Sequence, residues 1–165
     1  MSIPPPYPKT NLDDILVELS TELELEDMVE KIPLTRALEQ LLQFAQAHNL
    51  ADIAQLVKQE LDGYTSQPPA YRYINLNYFD TGGQPISGLK PYCSYPLVTG
   101  VRKLEIRLKN GLSLMLPDQI LKFLLQVSGV TVDVAHVSSS EINILLKQIR
   151  HELICKIREI QREGN

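Results

Sequence analysis

Apolar residues recur at helical spacing in the first sixty positions. Leu12, Ile15, Leu16 and Leu19 repeat every three or four residues behind Asn11, a good helix cap, and Asp13 and Asp14 sit at the positive end of the predicted helix. The following STELELEDMVEKI alternates Leu and Glu through Leu23 and Leu25, and reads as a short extended break or as more helix. Met28, Val29 and Ile32 supply apolar contacts before Pro33. LTRALEQLLQFAQAH then places Leu34, Leu38, Leu41, Ala45 and His48 near one face. HNLAD interrupts it, and ADIAQLVKQEL resumes with Ile53, Leu56, Val57 and Leu61. Two packed helices fit this pattern, as does one kinked helix. Gly63 is placed to stop the second segment by taking a left-handed backbone.

The pattern changes after Pro68 and Pro69. YRYINLNYF carries the aromatic and branched residues of a strand, with Tyr71, Tyr73 and Asn75 on one side and Arg72, Ile74 and Leu76 on the other. Gly82 and Gly83 permit a turn, and the region through Pro96 reads as loops with short strands. RKLEIRL and GLSLML are further strand candidates, joined by Lys109, Asn110 and Gly111 as a hairpin. Pro117 opens a predicted helix over DQILKFLLQV with Ile120, Leu121, Leu124 and Leu125 inward. VTVDVAHV is a strand candidate, and Ser138 with Glu141 forms a capping-box pattern before the last helix. Ile142, Leu145, Leu146, Ile149, Leu153, Ile157 and Ile160 give that helix a long apolar stripe. The order is N-terminal helices, a small, mostly antiparallel sheet and a long C-terminal helix, which predicts an α+β fold. Residues 1–10, with Pro4, Pro5, Pro6 and Pro8, are expected to form a proline-rich tail ahead of one domain over 11–162.

Composition narrows the function classes. The chain has 165 residues, of which 44% are hydrophobic and 22% charged, enough for an ordinary core. A net charge of -4 argues against general attraction to nucleic acid. Cys93 and Cys155 resemble neither a metal-ligand pair motif nor a disulfide framework, and read as reduced thiols. With no apolar run approaching about 18 residues, the expected setting is the cytoplasm, without a membrane.

The stretch VKQELDGYTSQPPAYRYI at residues 57–74 resembles the AbiTii family, a domain associated with bacterial abortive infection and other antiphage systems. The resemblance lies in an amphipathic helix ending E-L-x-G-Y, here Glu60, Leu61, Gly63 and Tyr64, followed shortly by Y-R, here Tyr71 and Arg72. LTRALEQLLQFAQAHNLADI and EINILLKQIRHELICKI are similar to the family's Leu- and Ala-rich helix and its terminal helix. Similarity spans roughly residues 10–160. It implies a role in phage defence as a recognition or association module and brings no catalytic residues; the expectation is that the chain either acts with a separate partner or has diverged from that role.

Glu60, Asp62, Gly63, Tyr64, Tyr71, Arg72 and Tyr73 are therefore the principal candidates. A spacing of two does not put Glu60 and Asp62 on one helix face. Pairing of either with Arg72 across the turn, with the tyrosines adding hydroxyl bonds, makes a structural corner. A partner-binding surface is the alternative. Tyr92, Cys93 and Tyr95 form a candidate loop surface. His48, His136 and His151 lack metal-motif spacing, although His151 and Cys155 share a helix face. Ser138, Ser139 and Ser140 read as capping residues, and Gly82 and Gly83 as turn residues. Tyr71, Arg72, Tyr73, Tyr78 and Phe79 offer a base-stacking strand for nucleic acid, against which the acidic balance counts. The leading expectation is a non-catalytic interaction or sensing module with a protein partner and no cofactor or metal. The alternatives are a small toxin or enzyme acting on RNA or nucleotides through Glu60, Asp62, Arg72 and His136, and a homodimer built through the last helix.

Overall fold

The computed structural model describes residues 11–24 and 33–163. The proline-rich start and residues 25–32, including Met28, Val29 and Ile32, lie outside that description. Among the described residues there are six α-helices and two small antiparallel sheets, an α+β arrangement ending in a long helix. The helices are α1 (Leu12–Glu24), α2 (Leu34–Ala47), α3 (Ala51–Asp62), α4 (Val101–Ile106), α5 (Asp118–Ser128) and α6 (Ser139–Glu163). The strands are β1 (Tyr73–Asn75), β2 (Asn77–Phe79), β3 (Ser94–Pro96), β4 (Leu112–Leu114) and β5 (Val134–Val137).

Asn11 caps α1 as its side-chain oxygen accepts from Asp14 N–H at 2.9 Å. The helix runs on to Glu24, so the first part of STELELEDMVEKI is helical. Its buried Ile15 and Leu19 pack toward α6 and α2. On α2, Leu34, Ala37, Leu38, Leu41 and Ala45 are buried, whereas His48 lies outside the stripe, exposed and stacked on Phe44 with centroids 4.2 Å apart. Asn49 takes φ 57°, and the chain turns there to send α3 back along α2, so HNLAD separates two packed helices. Gly63 ends α3 at φ 116° and ψ 161°, an extended conformation with positive φ and not the left-handed helical cap expected of it.

YRYINLNYF is not one strand. Residues 70–72 make a 3-10 turn, and β1 and β2 join different sheets on either side of Leu76. The alternation survives the break: Arg72, Ile74, Leu76 and Tyr78 are all buried. β1 pairs with β3 in the register Ile74↔Tyr95, flanked by Leu97 N–H to Arg72 O and Leu76 N–H to Cys93 O. This parity turns Ser94 and Pro96 outward on β3, and Pro96, lacking an N–H, blunts that edge. On the other edge, Asn75 N–H is taken up by Glu141 of α6 at 3.3 Å. The second sheet runs β2-β5-β4, all antiparallel.

RKLEIRL, expected as a strand, is largely helix α4. Its alternating Leu104, Ile106 and Leu108 mimic a strand, but Val101 and Leu104, three apart, are the buried pair, and Ile106 is 79% exposed. The Asn-Gly hairpin is absent with it. Gly111 instead closes a turn onto Arg107 O at 2.8 Å and lies beneath the His136 ring, where a Cβ would approach Nε2 to 2.6 Å. α5 forms after Pro117, with Leu124 buried, Ile120 and Leu121 half-buried, and Leu125 42% exposed instead of inward. Ser138 alone of its three serines caps α6 through Glu141 N–H at 3.1 Å, while Glu141 reaches Asn75. Ile142, Leu145, Leu146, Ile149, Leu153 and Ile157 bury the α6 stripe within the chain, mainly against α1.

One cap crosses the molecule. Pro33 precedes α2 and supplies no side-chain cap, so the Glu105 carboxylate of α4 accepts from Leu34 N–H at 3.0 Å and Thr35 N–H at 2.7 Å. A carboxylate there satisfies two orphan donors and opposes the helix dipole. Glu105→Ala should therefore destabilise the fold by about 1–2 kcal/mol, the range of a lost N-cap. Urea unfolding checks this; an unchanged midpoint would contradict it.

Candidate functional site

The end of α3, the 3-10 turn and the strand-like segment 97–100 meet at one corner. Burial of an acidic and a basic side chain there demands mutual neutralisation. Glu60 and Arg72 are both fully buried, with Arg72 Nη2 2.6 Å and Nε 3.0 Å from Glu60 Oε2. The second Nη2 donor reaches Glu60 O at 3.3 Å, and Nη1 reaches Leu97 O at 3.1 Å and Thr99 O at 2.6 Å. All five guanidinium N–H donors are thereby used. The other carboxylate oxygen accepts from Tyr64 OH at 2.6 Å and from Tyr71 OH. The guanidinium carbon also sits 5.0 Å above the Tyr64 ring centroid, a cation–π contact.

The backbone completes the joint. Tyr64 N–H donates to Val98 O at 2.9 Å, Leu97 N–H to Arg72 O at 2.9 Å, and Gly63 bridges Thr99. Gly100 lies so close to the end of α3 that a Cβ would overlap the Leu61 carbonyl oxygen and come 2.6 Å from the Asp62 carbonyl carbon. Gly100 is thus required by close approach, with an ordinary negative φ of -73°.

The candidates separate clearly. Glu60, Tyr64, Tyr71 and Arg72 converge, and Gly63 places them. Asp62 does not join: it is exposed and pairs with Arg102 at 3.0 Å, the same Arg that binds Glu39 of α2. Tyr73 is 43% exposed, its hydroxyl accepting from Gln67 at 3.1 Å. His136 belongs to β5, over Gly111 and edge-on to Phe79, so the composite Glu60–Asp62–Arg72–His136 set is not assembled. The face expected to hold Tyr71 and Tyr73 together is also broken, since Tyr71 points to Glu60 from the turn. Leu97, Thr99, Gly100 and Glu105 were missed. Backbone acceptors carry no residue-type signal, and the close approach that requires Gly100 exists only once the fold brings it against the end of α3.

The loop candidates form a second locality. Tyr92 is 41% exposed and meets Phe123 of α5 edge-on, with centroids 5.1 Å apart and planes at 85°. Tyr92 O accepts from the buried Tyr78 hydroxyl at 2.7 Å. Cys93 is half-buried, with Sγ 3.5 Å from Asn75 Oδ1, at the wall of a cleft of about 550 Å³ shared with Leu76, Tyr78 and Leu89. Tyr95 is half-buried on β3. Both cysteines are free thiols. Among the described residues, no helix is long and apolar enough to cross a membrane.

Comparison with protein-family models, curated proteins and solved structures finds no match. The corner must be read on its geometry. Every Arg72 donor and both Glu60 oxygens are engaged internally, so the arrangement locks three segments together and presents no open valence to a ligand.

Removing one partner of such a pair leaves an uncompensated buried charge. Arg72→Met should cost about 3–5 kcal/mol in urea unfolding. Adding Glu60→Gln should recover part of that loss, because the amide is uncharged and still accepts the tyrosine hydroxyls. Strict additivity of the two substitutions would contradict the network. Desolvation, followed by the hydrogen bonds to Glu60, pushes the Tyr64 and Tyr71 hydroxyls well above their ordinary range. Their contribution is complete below the unfolded-chain value of about 10 and is lost as pH rises above it toward the folded-state values. Tyr71→Phe should therefore leave the folded protein's tyrosinate absorbance near pH ~10 unchanged; a drop equal to one tyrosine would contradict it.

Proposed function

We propose that the chain is a non-catalytic protein-interaction or sensing module of a bacterial antiphage defence system, related to AbiTii domains, working in the cytoplasm beside a separate effector. The support for the family is the E-L-x-G-Y and Y-R spacing, whose Glu60, Tyr64, Tyr71 and Arg72 act as one unit. Those residues hold the fold, so the working surface is expected elsewhere.

The observation that carries the reading is the outer face of α5. Ile120, Phe123 and Val127 stand at i, i+3 and i+7, with Phe123 45% and Val127 42% exposed. Tyr92 extends this row from the neighbouring loop. A helix that presents apolar anchors at that spacing suits insertion into the groove of another protein. Aromatic residues at the centre of a contact carry much of its energy. The mechanism is shape-specific association, with α5 and Tyr92 as the contact and the corner as its rigid support.

The test is affinity capture from the native host, with cross-linking and mass spectrometry. Wild-type protein should recover a stoichiometric partner cross-linked near α5. The Phe123→Glu/Val127→Glu variant should lose at least about tenfold in recovery, corresponding to 1.4 kcal/mol or more, with unchanged circular dichroism. Lys58→Ala, an exposed change on α3, should retain it. Equal capture by the α5 variant would overturn the reading.

A further inference from the structure

The cleft beside Cys93 lies along the outer edge of β2, and the strand opens its backbone into it. In an extended strand each residue turns its N–H and C=O to one side, and successive residues alternate. Asn77 and Phe79 face β5, whereas Leu76 and Tyr78 face the loop over 85–93. Two bonds close that edge at its ends. Leu76 N–H donates to Cys93 O at 2.8 Å, and Ile86 N–H donates to Tyr78 O at 2.9 Å. Between them lie Leu76 O and Tyr78 N–H, and among the described residues neither has a backbone partner. A C=O and an N–H two residues apart on one edge match the parallel ladder. A single extended residue lying parallel to β2, opposite Asn77, donates to the first and accepts from the second.

The surroundings say what kind of residue this is. The cleft holds about 550 Å³, within the roughly 300–1,000 Å³ of small-ligand sites. Its walls are fixed, because the Cys93 and Ile86 bonds and the Tyr78 hydroxyl on Tyr92 O tie the loop to β2. Of its twelve lining residues only Lys90 is charged, and Lys90 forms no ion pair among the described residues. The site therefore suits an anion. An internal segment of another protein cannot run along this edge, since the Cys93 and Ile86 contacts shut it on both sides. A chain end can enter, and the direction set by Leu76 O and Tyr78 N–H brings its carboxylate to Tyr78.

We propose that this cleft captures the carboxy-terminal residue of a partner protein. The terminal N–H donates to Leu76 O, and the carboxylate accepts from Tyr78 N–H and pairs with the Lys90 ammonium. Recognition rests on the main chain and the charge, and the terminal side chain falls on the open side beside Asn77. This capture uses no residue of α5, so it stands even if the α5 contact fails.

The experiment titrates the full chain into a fluorescein-labelled peptide pool with randomised ends bearing free carboxylates, and into the same pool amidated. Binding is read by fluorescence anisotropy and by amide NMR spectra. The free-acid pool should bind at least about tenfold more tightly than the amidated one, the worth of a charge-assisted bond. The Tyr78 amide should move downfield and exchange more slowly on binding. Lys90→Glu, at an exposed position, should weaken binding at least about tenfold with unchanged circular dichroism. Lys58→Glu and the Phe123→Glu/Val127→Glu variant should bind as wild type. Equal binding of the acid and amide pools, an unshifted Tyr78 amide, full binding by Lys90→Glu, or no binding of either pool would overturn the proposal.

Discussion

A carboxylate and a guanidinium taken wholly out of water must neutralise each other and satisfy every remaining polar atom, or the fold loses several kcal/mol. Glu60 and Arg72 meet this demand, and the requirement sets much of the surrounding architecture. The carboxylate is fixed by the last turn of α3, the guanidinium by the turn after Pro69, and the remaining Arg72 donors by Leu97 and Thr99 carbonyls. Segment 97–100 is thus drawn between two elements that would otherwise be separate. From there α4 starts directly after Gly100, and its Glu105 caps α2. The register of β1 on β3 follows from the same joint, because Leu97 N–H donates to Arg72 O.

Buried ion pairs are poor sources of net stability but strong sources of specificity when all their hydrogen bonds are made. Here the specificity is positional. A slipped register between segments 70–76 and 93–97 would leave Arg72 donors without Leu97 and Thr99 and strand the charge. The tyrosines strengthen this constraint, since Tyr64 and Tyr71 close the second carboxylate oxygen against water. The apolar α1–α2–α6 body could tolerate small shifts in packing; the corner could not.

Much of the helical body was legible because its stripes are long. Leu34 to Ala45 and Ile142 to Ile157 repeat over several turns, and burial of those positions follows. The opposite charges flanking the Pro-Pro turn likewise announced a pairing of Arg72 with one of two carboxylates, Glu60 or Asp62. Asp62 was indistinguishable from Glu60 as a partner until the helix end placed it on the outside, against Arg102. α4 was unreadable for a local reason: in six residues, Leu104 and Ile106 satisfy a strand period as well as a helical one, and tertiary contact with α2 and α3 decides. Glu105 is seventy-one residues from Leu34, the N–H it caps, so no local pattern could announce it. The α5 surface was partly hidden because Leu125 was assigned inward, whereas the helix buries only Leu124 fully.

Native-state hydrogen exchange of the amides at Tyr64 and Leu97 tests the central claim most directly. Both N–H groups belong to the joint, donating to Val98 O and Arg72 O at 2.9 Å each. If the corner holds the fold, they exchange only through global unfolding, with the same free energy and denaturant dependence as buried amides of α6. Exchange through a local opening of much lower free energy, while the α6 amides stay protected, would show that the helices stand without the corner and would contradict the account.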